Sequence, residues 1–508
     1  MGGQIIQTLI SAFTVILVAR IIGSEANGLF TIAMIPVNLA LLLQDVGVST
    51  ALTLYSARFR KEGRVEDLKV LVRTGLAFSA LIAVVLSAAL FFFAGPVASV
   101  WLQRPDLEGL VRVASLIVVG QALITAIYAV FMGFEMVRFR AALPVAWAVL
   151  RGLIVFPLVF VGMGAFGPTA AYALSSFLIG LVGVVLFFFL VKFGGGVGSL
   201  GVSGALRLIL GYGFPLYVGA LVGGGQTQVF NTLMATYAST ELIGNYGAAV
   251  NFGVLIAFFT LPIGLILFPL FSKMSRSDPL LGSLFQNALK YTNLVVTPIA
   301  AYLIVVSSPM TSIIYGSGYP YASLYLSLYL VSYLFEGVGG TSLGNLIRGL
   351  GESRVIFISN VIQLLVSVPL GLILISRYQI IGLLATMIIA SQVPLPYLLF
   401  WLKRNTGFSV DWGASVRVYL SAAVAFAVSY LELTFLNLSG WAALLICSAS
   451  FFAIYLVALP LSEALDLHDV HLLDEIAGVT GPFATFLRAI LSLMSHLIRS
   501  KDVTSTDD

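Results

Sequence analysis

Long apolar stretches separated by short polar segments fill the sequence up to about residue 462. Each stretch has about 20 residues or more, which is the length that an α-helix needs to cross a bilayer. The connections between them are too short to hold a soluble domain. The pattern therefore predicts about 14 transmembrane helices, at residues 3–22, 28–55, 70–94, 108–131, 141–163, 167–192, 208–235, 243–271, 283–307, 320–347, 355–376, 379–402, 414–435 and 440–462.

The composition excludes the main classes of soluble protein. Of the 508 residues, 59% are hydrophobic and only 9% are charged, whereas an average soluble domain carries roughly 25% charged residues. The lone cysteine, Cys447, leaves no disulfide framework, and all three histidines lie in the C-terminal tail. These features predict an all-α polytopic membrane protein. They exclude a soluble enzyme, a secreted disulfide scaffold and a nucleic-acid binder.

Lysine and arginine fall mainly on alternate loops, and this asymmetry predicts the orientation. The loops that follow the even-numbered spans carry most of the basic residues. The opposite side carries only Arg20, Arg104, Arg112 and Arg377. Because basic loops stay on the cytoplasmic side, we expect both termini to be cytoplasmic and the protein to lie in the cell (plasma or inner) membrane.

A shift of 216 residues aligns the first part of the chain with the second. Residues 24–30 then face 240–246, and the further matching pairs are Ser56 with Ser272, Arg60 with Arg276, Gly133 with Gly349 and Arg138 with Arg354. Spans 1–6 therefore correspond to spans 7–12. Since six is even, the two repeats are parallel and related by an axis along the membrane normal.

This repeat predicts the domain organisation. An N-terminal six-helix bundle (1–192), a cytoplasmic linker (193–207) and a C-terminal six-helix bundle (208–402) are followed by two additional transmembrane helices (414–462). A cytoplasmic tail (463–508) follows them and could form an amphipathic helix at 483–498. We expect the two bundles to form a V-shaped central cavity that opens to each side in turn as one bundle rocks against the other.

The opening of the sequence carries a family resemblance. Residues 19–30, ARIIGSEANGLF, resemble the opening AR-x-x-G-x-E-x-x-G-x-[FY] of polysaccharide-transporter flippases, and 45–51, DVGVSTA, resemble a second family stretch. The resemblance covers about 1–460 and extends to a superfamily with lipid II flippases and multidrug and toxic compound extrusion exporters. It implies export of lipid-linked O-antigen, teichoic acid or archaeal glycan units. The many-arginine cavity of lipid II flippases is not matched.

Arg151 is the most informative polar residue in a span. It lies near the middle of span 5, where a buried cation needs a carboxylate, water or an anionic ligand. A guanidinium suits the oxygens of a diphosphate, so Arg151 is a candidate substrate contact; the alternative is a structural ion pair. Arg20, at the outer end of span 1, is a second candidate. It could instead snorkel to the interface beside Glu25 or Glu241.

Asp45 and Glu336, in spans 2 and 10, are candidate ion-coupling residues. A desolvated carboxylate can carry a proton, which would suit transport driven by protons or sodium ions. The alternatives are an ion pair between Asp45 and Arg151 and an interfacial position for Glu336.

Two polar helix faces are candidates for contacts with sugars. Tyr325 and Tyr329 belong to a stripe at four-residue steps from Tyr321 to Tyr333, and tyrosine rings can stack on sugar faces. Span 7 carries the amides of Gln226, Gln228 and Asn231. The alternatives are helix packing and an interfacial belt for the tyrosines, and glycine-mediated helix contacts for span 7.

Together these features predict a flippase that moves a polyprenyl-diphosphate-linked oligosaccharide from the inner to the outer leaflet, for surface polysaccharide or glycan assembly. We expect no enzyme activity, catalytic residue, metal site or cofactor, and a monomer that contacts membrane lipids and no nucleic acid. A polysaccharide polymerase or an oligosaccharyltransferase could act beside it. The main alternative is a cation-coupled multidrug exporter of the same superfamily; a membrane glycosyltransferase or ligase and a non-transporting scaffold fit less well.

Overall fold

The prediction of an all-α membrane protein is confirmed. The computed structural model describes residues 2–191 and 199–467, and in the tail 469–471, 474, 488, 491–496 and 498. Helices make up nearly all of this part of the chain, which contains no strand. The predicted amphipathic helix at 483–498 lies largely outside the described residues, of which 491–496 are helical.

Seventeen α-helices longer than one turn form the described structure. They are α1 Gly2–Gln44, α2 Val48–Lys61, α3 Val65–Phe92, α4 Glu108–Gly133, α5 Val137–Phe160, α6 Phe166–Leu190, α7 Val202–Tyr237, α8 Thr240–Asn251, α9 Gly253–Ser272, α10 Leu281–Val305, α11 Ser307–Tyr315, α12 Ala322–Val331, α13 Gly340–Gly349, α14 Ser353–Gln392, α15 Leu395–Thr406, α16 Trp412–Phe435 and α17 Gly440–Leu461. Short 3-10 turns include Pro105–Leu107 and Ser332–Val338.

The apolar helices account for the predicted number of crossings. Within the described residues, ten segments are long and apolar enough to span a membrane. Two of them, Ile6–Lys61 with 56 residues and Ser353–Thr406 with 54, have about twice the length that one crossing needs. Each of these two segments is long enough for two crossings. With the shorter apolar helices Val202–Phe214, Pro262–Ser272 and Ala322–Val338, the described helices fit about 14 crossings.

The helix ends differ from the predicted spans wherever the backbone breaks. Spans 1 and 2 share the long helix α1, which turns at Gly23, where φ is 79°. Span 2 is interrupted before α2 by Val46 and Gly47, which both have positive φ. Span 10 is interrupted between α12 and α13 by the 3-10 turn Ser332–Val338. Hydropathy averaged over a span does not reveal the breaks in spans 2 and 10, because longer apolar stretches lie on either side of the few polar residues there.

The chain forms two compact units. The first contains Met1–Asn251, Ser317–Pro320 and Val368–Leu383, and the second contains Phe252–Gly316, Tyr321–Ser367 and Leu384–Asp508. The first unit has a core of aromatic rings, in which Phe187 lies edge-on against Phe134, with ring centroids 4.9 Å apart. The predicted division at 193–207 stays a prediction.

In the second unit, the two additional helices α16 and α17 pack on each other and on α10. Tyr455 of α17 donates a hydrogen bond to the Leu294 carbonyl of α10, at 2.9 Å. The start of the tail is held by the same helix: Asp469 pairs with Lys290 and accepts a hydrogen bond from the Tyr291 hydroxyl. The tail is therefore anchored where it leaves the last helix.

Equivalent contacts inside each unit support the internal repeat. In the first unit, a Cβ on Gly133 would lie 2.7 Å from Ser56 Cβ, and in the second unit one on Gly349 would lie 3.1 Å from the Ser272 nitrogen. Both pairs are related by the 216-residue shift. Arg60 pairs with Glu135, and its counterpart Arg276 pairs with Glu352. The same helix contact, supported by the same kind of ion pair, therefore occurs twice.

Candidate substrate cavity

A cavity of about 370 Å³ lies among α1, α5, α6, α7 and α8 of the first unit. This volume falls at the lower end of the range of about 300–1,000 Å³ that is typical of small-molecule sites. Its walls combine apolar residues with a few polar ones, of which the most informative are Asn27, Asn38, Arg151, Tyr172 and Asn231. A pocket with this composition can hold a ligand that is partly polar and can orient it by few hydrogen bonds.

Arg151 is the cation of this cavity, and two aromatic rings hold it. Its guanidinium carbon lies 4.9 Å from the ring centroid of Trp147 and 5.6 Å from that of Tyr172. The two rings contact each other, with centroids 5.5 Å apart. Trp147 precedes Arg151 by four residues on α5, so both side chains share a helix face. The rings attract the cation through their quadrupoles without neutralising its charge.

No carboxylate balances this charge in the part of the chain that the structure describes. Arg151 forms neither an ion pair nor a hydrogen bond there. The predicted alternatives, a structural ion pair in the N-terminal bundle and a pair with Asp45, are therefore not seen among these residues. A guanidinium has five N–H donors, and those of Arg151 are left for water or an anionic ligand.

Amide side chains supply the remaining polarity of the cavity. Asn38 and Asn231 line it and make no hydrogen bond to described residues. Asn27 donates one of its amide hydrogens to the Gly244 carbonyl, at 3.0 Å. The threonines in the wall, by contrast, are satisfied within their own helix: Thr31 donates to the Asn27 carbonyl at 2.8 Å. The cavity thus offers one cation and several amide groups to a ligand.

Asp45 caps a helix. Its carboxylate accepts hydrogen bonds from the Ser49 backbone nitrogen at 3.1 Å and from the Ser49 hydroxyl at 2.7 Å. These bonds satisfy a donor in the first turn of α2, which begins just after the break in span 2. Asp45 therefore lies at a helix end where a negative charge is favourable.

Glu336 has the same role in the second unit. It is buried, with 8% of its surface exposed, and accepts bonds from the Thr341 nitrogen at 2.7 Å and the Thr341 hydroxyl at 2.8 Å. Thr341 belongs to the first turn of α13, which follows the break in span 10. Each broken span therefore has a carboxylate at the start of the helix that resumes it.

The other predicted contacts lie in different surroundings. Asn231 lines the cavity with Arg151, whereas the half-buried Gln226 and Gln228 lie elsewhere on α7. The Gln228 side-chain oxygen is buried and has no hydrogen-bond partner in the described structure. Arg20 is exposed. In the second unit, Tyr325 is buried.

The tyrosine stripe forms two separate pairs. Tyr321 stacks on Tyr325 in α12, with ring centroids 6.2 Å apart. The Tyr329 and Tyr333 hydroxyls form a separate pair with oxygens 3.2 Å apart. The sequence predicts one continuous face, whereas the structure shows two pairs, and the second pair spans the start of the 3-10 turn at Ser332.

The sequence did not lead us to Asn27, Asn38 and Tyr172, which line the cavity, or to Trp147, which contacts Arg151. Asn27 lies within the family motif, and Asn38 is a lone amide in an apolar span, so the reasoning applied to Arg151 could have found both. Trp147 could have been found from its four-residue spacing to Arg151. Tyr172 is on another helix, and nothing local links it to this site.

Solved structures show which known fold this chain shares. The lipid II flippase MurJ in its inward closed conformation aligns with 90% of this chain and 97% of its own, at a TM-score of 0.71 and 18% identity. An inward-facing multidrug resistance MATE family transporter of the MOP superfamily aligns with 79% of this chain and 94% of its own, at 0.62 and 15%. A MOP superfamily transporter from Pyrococcus furiosus aligns with 80% of this chain and 93% of its own, at a TM-score of 0.55 and 16% identity. The chain therefore has the fold of MOP superfamily transporters and flippases.

The sequence places the chain within a family. The profile of the polysaccharide biosynthesis protein family matches residues 17–323, more than half of the chain. The chain belongs to this family. No curated protein matches its sequence.

Proposed function

We propose that this protein is a flippase for a polyprenyl-diphosphate-linked oligosaccharide, which it moves from the inner to the outer leaflet by alternating access. The observation that carries the proposal is Arg151, a cation that lines a membrane cavity and has no carboxylate partner among the described residues. Such a charge is costly within a bilayer unless a ligand compensates it. Membership of the polysaccharide biosynthesis family and a flippase fold support the same substrate class.

In this proposal, Arg151 binds the diphosphate through charge-assisted hydrogen bonds. The rings of Trp147 and Tyr172 keep the guanidinium in place without competing for its donors. Asn38 and Asn231 bind the remaining phosphate oxygens or the first sugar. The cavity then receives the headgroup, while the polyprenyl chain stays in the bilayer, where its apolar surface needs no protein pocket.

The remaining predicted contacts have supporting roles in this proposal. Arg20, Gln226 and Gln228 contact the polar headgroup as it enters or leaves. Tyr325 and Tyr329 provide aromatic surface for sugars in the second unit. A polysaccharide polymerase or an oligosaccharyltransferase uses the product at the outer face of the cell membrane, and both termini of this chain stay in the cytoplasm.

Asp45 and Glu336 are proposed to couple transport to protons or sodium ions. Their carboxylates accept hydrogen bonds at helix starts, so protonation would remove an acceptor and loosen the resumed helix. A bound proton or sodium ion would therefore change the stability of the helix that begins after the break in the span. Glu336 is the stronger candidate because it is buried.

The cation in the cavity also separates the proposal from drug export. Multidrug transporters share the fold, and the apolar part of the cavity wall could accept a drug. An unpaired positive charge repels cationic drugs, however, and attracts phosphates. A neutral or anionic substrate is therefore favoured.

The proposal is tested in cells depleted of this protein. The sidedness of lipid-linked oligosaccharides is measured with a membrane-impermeant reagent that reacts with the glycan. We expect accumulation on the cytoplasmic leaflet, rescue by the natural protein and no rescue by Arg151→Ala. Arg138→Ala is the matched control, because Arg138 lies on the same helix, is exposed and does not line this cavity. Unchanged sidedness after depletion, with no redundant flippase, would contradict the proposal.

A further inference from the structure

Two glycines bring the backbones of α1 and α8 into direct contact within the first unit. A Cβ on Gly28 would collide with the carbonyl oxygen of Thr240, and a Cβ on Gly244 would collide with that of Ser24. Gly28 and Gly244 are related by the 216-residue shift, and so are Ser24 and Thr240. The two helices therefore make the same contact twice, and a local two-fold axis relates the two copies of the contact.

Two loop side chains reinforce this crossing in a similarly paired way. Arg104 donates hydrogen bonds to the carbonyls of Ala235, at 3.3 Å, and Ala238, at 2.6 Å. Tyr319 donates to the carbonyl of Ala19, at 2.6 Å. Ala19 and Ala235 are again related by the 216-residue shift, and Arg104 lies one residue beyond the counterpart of Tyr319. Each repeat thus sends a side chain from the same loop to the same carbonyl of the other repeat.

This crossing borders the cavity. Asn27, which lines the cavity, donates to the Gly244 carbonyl at the crossing. Met234, in the cavity wall, precedes the Ala235 whose carbonyl accepts from Arg104. Arg20 and Arg104 lie on the side that the basic residues predict to be outer. The crossing therefore lies at the predicted outer end of the cavity.

We propose that these contacts are the outer gate of the transporter, a latch formed by Arg104, Tyr319 and the Gly28–Gly244 crossing. The inference rests on the proposed function only in requiring that the cavity open outward. Each contact can be exchanged for water: the side chains bind backbone carbonyls, and the glycines meet without interlocking side chains. Opening therefore needs no repacking of a core. Of the two side chains in the latch, Arg104 makes the stronger contact, because its hydrogen bonds are charge-assisted and go to two carbonyls and the Thr240 hydroxyl.

The latch is tested by the outward accessibility of the cavity in whole cells. The natural cysteine is first replaced by Cys447→Ser, and Thr31→Cys then places one thiol in the cavity wall. A membrane-impermeant maleimide is added from outside. We expect slow labelling in this parent, and faster labelling by about tenfold with Arg104→Gln and by about fivefold with Tyr319→Phe, as the loss of a charged and of a neutral hydrogen bond predicts.

Two controls make the outcome decisive. Arg112→Gln removes an exposed arginine that pairs with Glu108 and takes no part in the latch, so it should leave the Thr31→Cys labelling rate unchanged. Asp106→Cys, on an exposed turn of the same loop, should label rapidly in every variant and reports orientation and expression. Failure of Asp106→Cys to label from outside would overturn the outer placement. Equal Thr31→Cys labelling in the parent and both latch variants would overturn the latch.

The labelling rate is measured without a glycan substrate, so the latch and the proposed function can be rejected independently of each other. Faster labelling in cells whose glycan sidedness never depended on the protein would keep the latch and reject the flippase. Unchanged labelling in cells whose glycan sidedness does depend on it would reject the latch and keep the flippase.

Discussion

Arg151 and Trp147 lie one helical turn apart on α5, with the guanidinium carbon 4.9 Å from the centre of the indole ring. This arrangement fixes a cation in the cavity wall while leaving its hydrogen-bond donors available. It also explains how an arginine can remain at membrane depth without a carboxylate, since an aromatic face offsets part of the cost of burying charge.

The first prediction concerns this pair. Trp147→Ala should weaken binding of inorganic pyrophosphate to the purified protein by about threefold to thirtyfold, as expected for loss of a cation–π contact. Trp147→Phe keeps an aromatic face and should retain most of the affinity. Titration calorimetry measures both. Equal affinities in the natural protein and Trp147→Ala would show that the ring does not position Arg151.

A second prediction tests the caps at the broken spans. Glu336→Gln keeps an acceptor for Thr341 and should lower the free energy of unfolding little. Glu336→Ala should lower the free energy of unfolding by about 1–2 kcal/mol, as for other lost helix caps. The natural protein, Glu336→Gln and Glu336→Ala are compared by thermal unfolding in detergent.

The same pair of variants separates capping from ion coupling. If Glu336 couples transport, Glu336→Gln should remove the dependence of transport on a proton or sodium gradient while the protein remains folded. Transport by Glu336→Gln that still follows the gradient would leave Glu336 with the capping role alone.

The third prediction concerns the repeat. Gly133→Ala and Gly349→Ala should each lower stability by about 1–3 kcal/mol, because the new methyl group meets the neighbouring helix in both units. Gly211→Ala is the control: nothing lies within 4 Å of its Cβ position in α7, so it should be neutral or stabilise by up to about 1 kcal/mol. Thermal unfolding of the three variants measures the differences. A destabilising effect at only one of the two repeat positions would contradict their equivalence.

The fourth prediction concerns the anchored start of the tail. Burial raises the pKa of Asp469, but the Asp466 backbone nitrogen, Lys290 and Tyr291 outweigh it and hold the pKa below its usual value. Because the pKa of Asp469 is lower in the folded state, its carboxylate stabilises the folded state above the unfolded pKa of about 3.9. This stabilisation is lost only as the pH falls through the pKa of the folded state. Hydrogen exchange at 463–471 should therefore be the same at pH 7 and pH 5 and rise below about pH 4.

Asp469→Asn provides the matched control for this prediction. It should raise exchange at 463–471 at both pH 7 and pH 5, because the ion pair with Lys290 is lost at every pH. Exchange that already rises between pH 7 and pH 5 in the natural protein would show that another group controls this anchor.

Much of the architecture follows from local sequence. The spans can be predicted because each must present about 20 apolar residues to the bilayer, and the repeat because equivalent residues such as Arg60 and Arg276 recur at one spacing. The position of Arg151 in a cavity wall follows from the cost of burying its charge. These inferences need only length, hydropathy and charge.

The rest depends on contacts between distant residues. The breaks after Gln44 and Val331 lie within longer apolar stretches, where a few polar residues and glycines, such as Asp45, Gly47 and Glu336, do not by themselves mark a helix end. Tyr172 reaches Arg151 from a different helix, and helix spacing cannot show which helices are neighbours. The capping roles of Asp45 and Glu336 likewise appear only once the breaks are known.

The most direct test of the proposed function is transport by the purified protein. It is reconstituted in liposomes with a fluorescent polyprenyl-diphosphate oligosaccharide, and the fraction that an impermeant quencher reaches is followed over time. We expect the natural protein and Arg138→Ala to bring the inner-leaflet pool to the outer leaflet, and Arg151→Ala to leave it protected as in protein-free liposomes. Protection of the inner pool with the natural protein, at a density that gives several copies per liposome and with a proton or sodium gradient applied, would contradict the account.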